Sequence, residues 1–165
     1  MTIAGGIFRP GMRAYFIPFC AGVVLTASAF LPWVMVDRVA VTGIRDIWGM
    51  WVAGLGAIAA VLAMLSLVTR RNSRHPLLVI GLFALGLMFL SWRILPRLAG
   101  QRAQTVSQAA AIVENRPMAA APATGAGIGI YLGLAASAVI VLFGLTIVVR
   151  RASHTYVLTS PDDDV

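Results

Sequence analysis

The stretch IWGMWVAGLGAIAAVLAMLSLVT, residues 47–69, holds 23 consecutive residues without a charged side chain. At 1.5 Å per residue, a helix of this length reaches about 35 Å, more than the roughly 30 Å hydrocarbon core of a bilayer. A helix that is apolar around its whole circumference has no face for water, so the stretch reads as a membrane span. Three further runs share the pattern. Ala14–Val36 and Gly127–Val149 are each 23 residues long and uncharged, and Leu77–Trp92 adds 16. Letting Arg93 snorkel to the interface extends the last run to Leu95, giving a helix of about 28 Å.

The rest of the composition agrees. Of 165 residues, 59% are hydrophobic and only 12% charged, with a mean hydropathy of +0.88. Soluble domains carry about 25% charged residues, so a soluble enzyme or a free nucleic-acid-binding domain is excluded. The net charge of +7 comes from 13 arginines against 6 acidic residues, with no lysine. These arginines sit singly or in pairs beside apolar runs, as membrane-flanking residues do, rather than in a nucleic-acid-binding patch. The single Cys20 lies inside an apolar run, which leaves no disulfide framework and no thiolate metal site.

The expected fold is therefore an all-α integral membrane protein with four transmembrane helices. The chain divides into an N-terminus (1–13), spans at 14–36, 47–69, 77–95 and 127–149, and connections between them. These connections are a first outer loop (37–46), a cytoplasmic basic loop (70–76), a second outer segment (96–126) and a cytoplasmic tail (150–165). In the first span, Arg9 and Arg13, an apolar stretch and Ala27-Ser28-Ala29 mimic a signal peptide. The apolar run continues through Phe30, Leu31 and Trp33–Val36, so it reads as an anchor that is retained.

Orientation rests on the flanks. The short loop Arg70-Arg71-Asn72-Ser73-Arg74 is basic, whereas the first outer loop balances Arg38 and Arg45 with Asp37 and Asp46. Arginine-rich short loops face the cytoplasm, which places both termini inside. Under this threading Trp33, Trp48, Trp51 and Trp92 fall at the outer helix ends, as an interfacial aromatic belt would. The expected location is a bacterial cytoplasmic (inner) membrane.

The loops carry local signals. Val34–Gly43 alternates in a β-like way, predicting an extended segment or hairpin. The spacing of Trp33 and Trp48-Gly49-Met50-Trp51 is similar, in these aromatic positions alone, to the first loop of claudin-like tetraspan proteins. That family's loop cysteine pair is absent here, and no property is carried over. In the second outer segment, Pro96 suits a first helical turn, and Leu98, Gln101, Ala109, Ile112 and Val113 give partial helical periodicity. Asn115-Arg116-Pro117 ends it, and Met118–Thr124 is an Ala/Pro linker. The tail ends in Asp162-Asp163-Asp164 and reads as a solvated end.

Function is approached by elimination. No Asp, Glu, Lys, Arg or His lies within the four apolar runs. Proton relays and ion-coupled sites in membranes depend on such groups, so an ion-coupled transporter or an intramembrane hydrolase is disfavoured. The intramembrane polar atoms are the hydroxyls of Thr26, Ser28, Ser66, Ser91, Ser137 and Thr146. His75 and His154 both fall at the cytoplasmic side and could ligate a haem or chlorophyll, but their positions favour ordinary interfacial roles.

The positive signal is a small-residue face, Gly125, Gly129, Gly133 and Ser137, recurring at every fourth position. Such faces let helix backbones approach, either inside the bundle or against a partner. A looser version lies at Gly49, Ala53 and Ala57, beside Gly56 and Ala60. The expectation is a non-catalytic accessory subunit of a larger membrane complex of respiratory or photosynthetic type. Its partners would be other membrane subunits and lipids, with no nucleic acid. It would bind no metal and no cofactor through its own ligands, although a partner's pigment or haem could touch it. The alternative is a small transporter or channel subunit for lipids or apolar solutes.

Overall fold

The computed structural model describes residues 13–69, 74–115, 117, 120 and 122–152. It is mostly helical, with a small sheet at one end. In chain order the elements are α1 (Phe16–Ser28), β1 (Pro32–Val36), β2 (Val39–Thr42), α2 (Ile47–Thr69), α3 (Arg74–Val113), β3 (Thr124–Ala126) and α4 (Ile128–Ala152). Short 3-10 turns at Arg13–Tyr15 and Gly43–Arg45 precede α1 and α2. The helices run up and down, each packed against its neighbours in a closed ring, α1 to α2 to α3 to α4 and back to α1. Three helices, α2, α3 and α4, are long and apolar enough to cross a membrane.

The first span departs from expectation. The run 14–36 is not one helix: α1 has 13 residues, about 20 Å, and stops at Ser28. The cause is local. Pro32 has no N–H to donate and biases Leu31 toward extended backbone. The residues that follow, Trp33-Val34-Met35-Val36, favour a strand.

A backbone that leaves the helix among apolar neighbours needs its polar groups satisfied within the protein, and here they are. The Leu25 carbonyl accepts from the Ser28 hydroxyl at 2.7 Å, and the Thr26, Ala27 and Ser28 carbonyls accept from the N–H groups of Ala29, Phe30 and Leu31. The Ala29 carbonyl accepts from Ile44 N–H at 2.7 Å, and Leu31 from Gly43 N–H at 3.3 Å.

The hairpin predicted from the alternation at Val34–Gly43 is present as β1 and β2, turning at Asp37, whose φ is +52°. A third strand was not predicted. β3, at the end of the Ala/Pro linker, pairs antiparallel with the other edge of β1, giving the order β2-β1-β3. Two hydrogen bonds join turn and linker: Asp37 N–H donates to the Ala123 carbonyl at 2.8 Å, and Ala123 N–H to Asp37 Oδ1 at 3.0 Å.

A second correction concerns α3. The third span (77–95) and the outer helix starting at Pro96 are one continuous helix of 40 residues, about 60 Å long. Pro96 lies inside it, at the cost of one backbone hydrogen bond. The helix therefore continues from the bundle as an arm that runs past the sheet. The core between the helices is built from Leu25, Ala29, Val52, Ala59, Leu77, Ala84, Met88, Ile130 and Ile140, with Trp33 and Val34 at the sheet end. At the opposite end, Tyr15 meets Phe143 edge to face, with ring centroids 5.2 Å apart.

Candidate functional site

The small-residue face of α4 points inward. A Cβ on Gly129 would stand 2.7 Å from Trp33 Cδ1 and 2.8 Å from the Ser28 carbonyl oxygen. On Gly133 it would collide with Met88 Cε and come within 2.9 Å of Ser28 Oγ. Ser137 is fully buried and donates to the Leu134 carbonyl at 3.0 Å. Gly125 differs: it lies in β3, and a Cβ there would meet nothing within 4 Å. The fourfold spacing thus runs across a strand–helix boundary, and its helical members pack on α1, β1 and α3.

The looser face on α2 behaves similarly. Gly56 and Ala60 meet Gly22 and Thr26 of α1 at backbone contact, with the Gly22 Cβ position 2.7 Å from Ala60 N. The Thr26 hydroxyl donates to the Gly22 carbonyl at 3.0 Å, and the Ala53 carbonyl of α2 lies 3.4 Å away. Gly49 packs beneath the Gly43 carbonyl, while Ala57 is exposed. Sequence spacing did not separate Gly22 from any other glycine, because its role depends on the residue facing it.

Trp33 is a correction. It was expected in the interfacial belt, yet it is only 1% exposed. Its ring fills the space beneath Gly43 and beside Gly129, and its Nε1–H donates to the Ser28 carbonyl at 2.8 Å. The reason is the early end of α1. Strand β1 turns Trp33 into the bundle, where an extended helix would have carried it outward. Trp48, Trp51 and Trp92 are exposed, with Trp48 and Trp51 in the first turns of α2. Met88 packs at Gly133, so Trp92, one turn further along α3, comes level with the start of α4 at the sheet end. Its ring lies 5.9 Å from that of Phe89.

The hydroxyls of the apolar helices mostly bond to carbonyls of their own helices. Besides Thr26, Ser28 and Ser137, Ser66 donates to Leu62 at 2.9 Å and Thr146 to Phe143 at 2.7 Å. Ser91 is buried and its Oγ has no partner among the described residues. His75 is exposed in the first turn of α3, while His154 lies outside the described residues, as do Arg9, Arg70, Arg71, Arg116 and Asp162–Asp164. Among the described residues, no group of three or more His, Cys, Asp or Glu side chains could hold a metal ion.

Two grooves remain. One lies between α1 and α4, with a volume of about 530 Å³, floored by Ala21, Ala135 and Ala136 and walled by Phe16, Val24 and Leu132. The other, also about 530 Å³, lies beyond the bundle between the α3 arm, the hairpin tip and the linker. Along the arm, the periodic residues named from sequence face away from the protein: Ile112 is 75% and Val113 84% exposed. No known protein family, curated protein or solved structure matches this chain.

Proposed function

We propose that the chain is a non-catalytic accessory subunit of a larger membrane protein complex, acting through helix packing and its projecting arm. The observation that carries this reading is the arm. A helix that crosses the bilayer and continues past the sheet, with Ile112 and Val113 turned outward, presents apolar surface where lipid cannot cover it. The glycine faces support the same role by a different route. They are used up inside the bundle, which makes a compact unit and leaves the arm as the surface for a partner. Purification in a gentle detergent should recover the chain with other subunits at fixed stoichiometry. The double substitution Ile112→Asp with Val113→Asp should abolish that recovery without moving the unfolding midpoint, because neither side chain packs on its own fold. Recovery of the wild-type chain alone would overturn the reading.

The groove between α1 and α4 favours a second reading, a subunit that carries lipids or apolar solutes. It is apolar, of acyl-chain dimensions, and faces the region where lipid would lie. Reconstitution of the chain alone separates the two. A carrier moves a fluorescent lipid between leaflets unaided, whereas an accessory subunit does not.

A further inference from the structure

Positive flanks orient a membrane helix from one end, and the loop 70–74 with its three arginines supplies that end before α3. Arg93 and Arg97 stand at the other end of the same span, so orientation does not account for them. They lie two residues either side of Leu95, where the span of about 28 Å runs out. On a helix that crosses a bilayer, this is the level at which hydrocarbon gives way to headgroups.

The two arginines share a face of α3 with the residues before them. Positions 83, 86, 90, 93 and 97 are three or four apart, which stacks them along one side of a helix. Phe83, Leu90, Arg93 and Arg97 are exposed, and a Cβ on Gly86 would meet nothing within 4 Å. Gly86 is therefore a notch between two bulky apolar side chains, about 10 Å along the helix from Arg93. Among the described residues, neither guanidinium has a carboxylate within ion-pair distance. From Arg93 to Val113 the helix holds three arginines and no acidic residue, and Glu114 comes about 25 Å beyond Arg97. Asp37 and Asp46, the other described carboxylates, belong to the hairpin turn and to the segment before α2.

We propose that this face of α3 binds one anionic phospholipid. Its phosphodiester sits between Arg93 and Arg97, and an acyl chain runs along Leu90 into the notch at Gly86. Three observations select that occupant. The charge is positive with no acid to answer it, the level is that of a headgroup, and the notch lies on the hydrocarbon side of the arginines, where a lipid's own chain runs. A free anion or a partner's carboxylate would use only the first. Two guanidiniums one turn apart present donors to both unesterified oxygens of a phosphodiester. The site depends on α3 crossing a bilayer and is independent of the accessory-subunit reading.

The test reconstitutes the full chain, carrying Trp48→Phe and Trp51→Phe, into phosphatidylcholine vesicles. Trp92 is then the exposed indole, while Trp33 is buried. A small fraction of lipid brominated on its acyl chains is included, either phosphatidylglycerol or phosphatidylcholine, and bromine quenches an indole that it touches. At equal content, the brominated phosphatidylglycerol should quench Trp92 more strongly. Attraction to anionic lipid is worth about fivefold per arginine. Arg93→Gln or Arg97→Gln should therefore lower the preference by up to about fivefold, and the pair should abolish it. Gly86→Leu should also lower it, at an unchanged unfolding midpoint, because a side chain there meets nothing in the fold. Inorganic phosphate at constant ionic strength should leave the preference intact. Equal quenching by the two lipids would overturn the proposal. So would a preference that survives the double arginine substitution or Gly86→Leu, or one that inorganic phosphate removes. If neither lipid quenches Trp92, α3 does not enter the bilayer, and the proposal fails together with the membrane reading.

Discussion

Two uncharged runs of equal length, 14–36 and 47–69, lie next to each other in this bundle and fold differently. The second is helix from end to end, Ile47–Thr69. The first is helix only to Ser28 and then becomes a strand whose indole and backbone are buried in the bundle. Apolar length determines whether a segment suits the membrane. It does not determine whether the segment stays helical, which depends on Pro32, on strand-favouring neighbours and on the availability of hydrogen-bond partners for a backbone that leaves the helix. The second run needs few such partners: Gly49 and Met50 N–H donate to the Asp46 carbonyl just before it, and the groups between its end turns pair within the helix.

Removing Trp33 attacks the first run at its anchor and carries the largest expected effect. Trp33→Ala deletes a buried ring and its hydrogen bond to the Ser28 carbonyl, which should cost about 3–5 kcal/mol in unfolding of the detergent-solubilised chain. Trp51→Ala, on the second run and 61% exposed, should leave the midpoint nearly unchanged. If the two variants behave alike, Trp33 is not an anchor.

Gly129→Leu comes next, because it drives a side chain into Trp33 and the Pro32 carbonyl. Overpacking of this kind should cost about 1–3 kcal/mol, read by the same unfolding titration. Gly125→Leu is its control: with open space around that position it should have no measurable effect, although the sequence spacing treats both glycines alike.

The smallest effect belongs to the second run and has the opposite sign. Gly54 is helical, exposed and free of neighbours around its Cβ position, so Gly54→Ala should stabilise by about 0.5–1 kcal/mol. Destabilisation there would mean that α2 is covered on its Gly54 side.

These contrasts also show what the sequence could carry. The bounds of α2 coincide with its apolar run, α4 starts one residue after the expected Gly127, and the hairpin follows from period-two alternation. Each of these is a local signal repeated over many residues. The missed features depend on distant partners. Thr124–Ala126 is three residues of linker with no strand pattern of its own, and it becomes a strand because β1 offers an open edge. Pro96 favours a helix start, yet α3 runs through it and bears the lost backbone hydrogen bond. At the candidate site, the small residues were visible as a stripe, but what they touch was not, because Trp33, Met88 and Ser28 come from three other segments. The groove between the arm, the hairpin tip and the linker left no trace in the sequence, since more than 60 residues separate the hairpin from the arm.

The bonds between Asp37 and Ala123 bear on the order of assembly during synthesis. Strands β1 and β2 adjoin in sequence, so their hairpin can close while later helices are still being made. β3 lies almost 90 residues from β1 and pairs with it where α3 packs against both strands and α4 lies beside α1. The Asp37 turn, with its positive φ, has its N–H and carboxylate met by Ala123. Completion of the sheet therefore reports that the first and last helices have found each other.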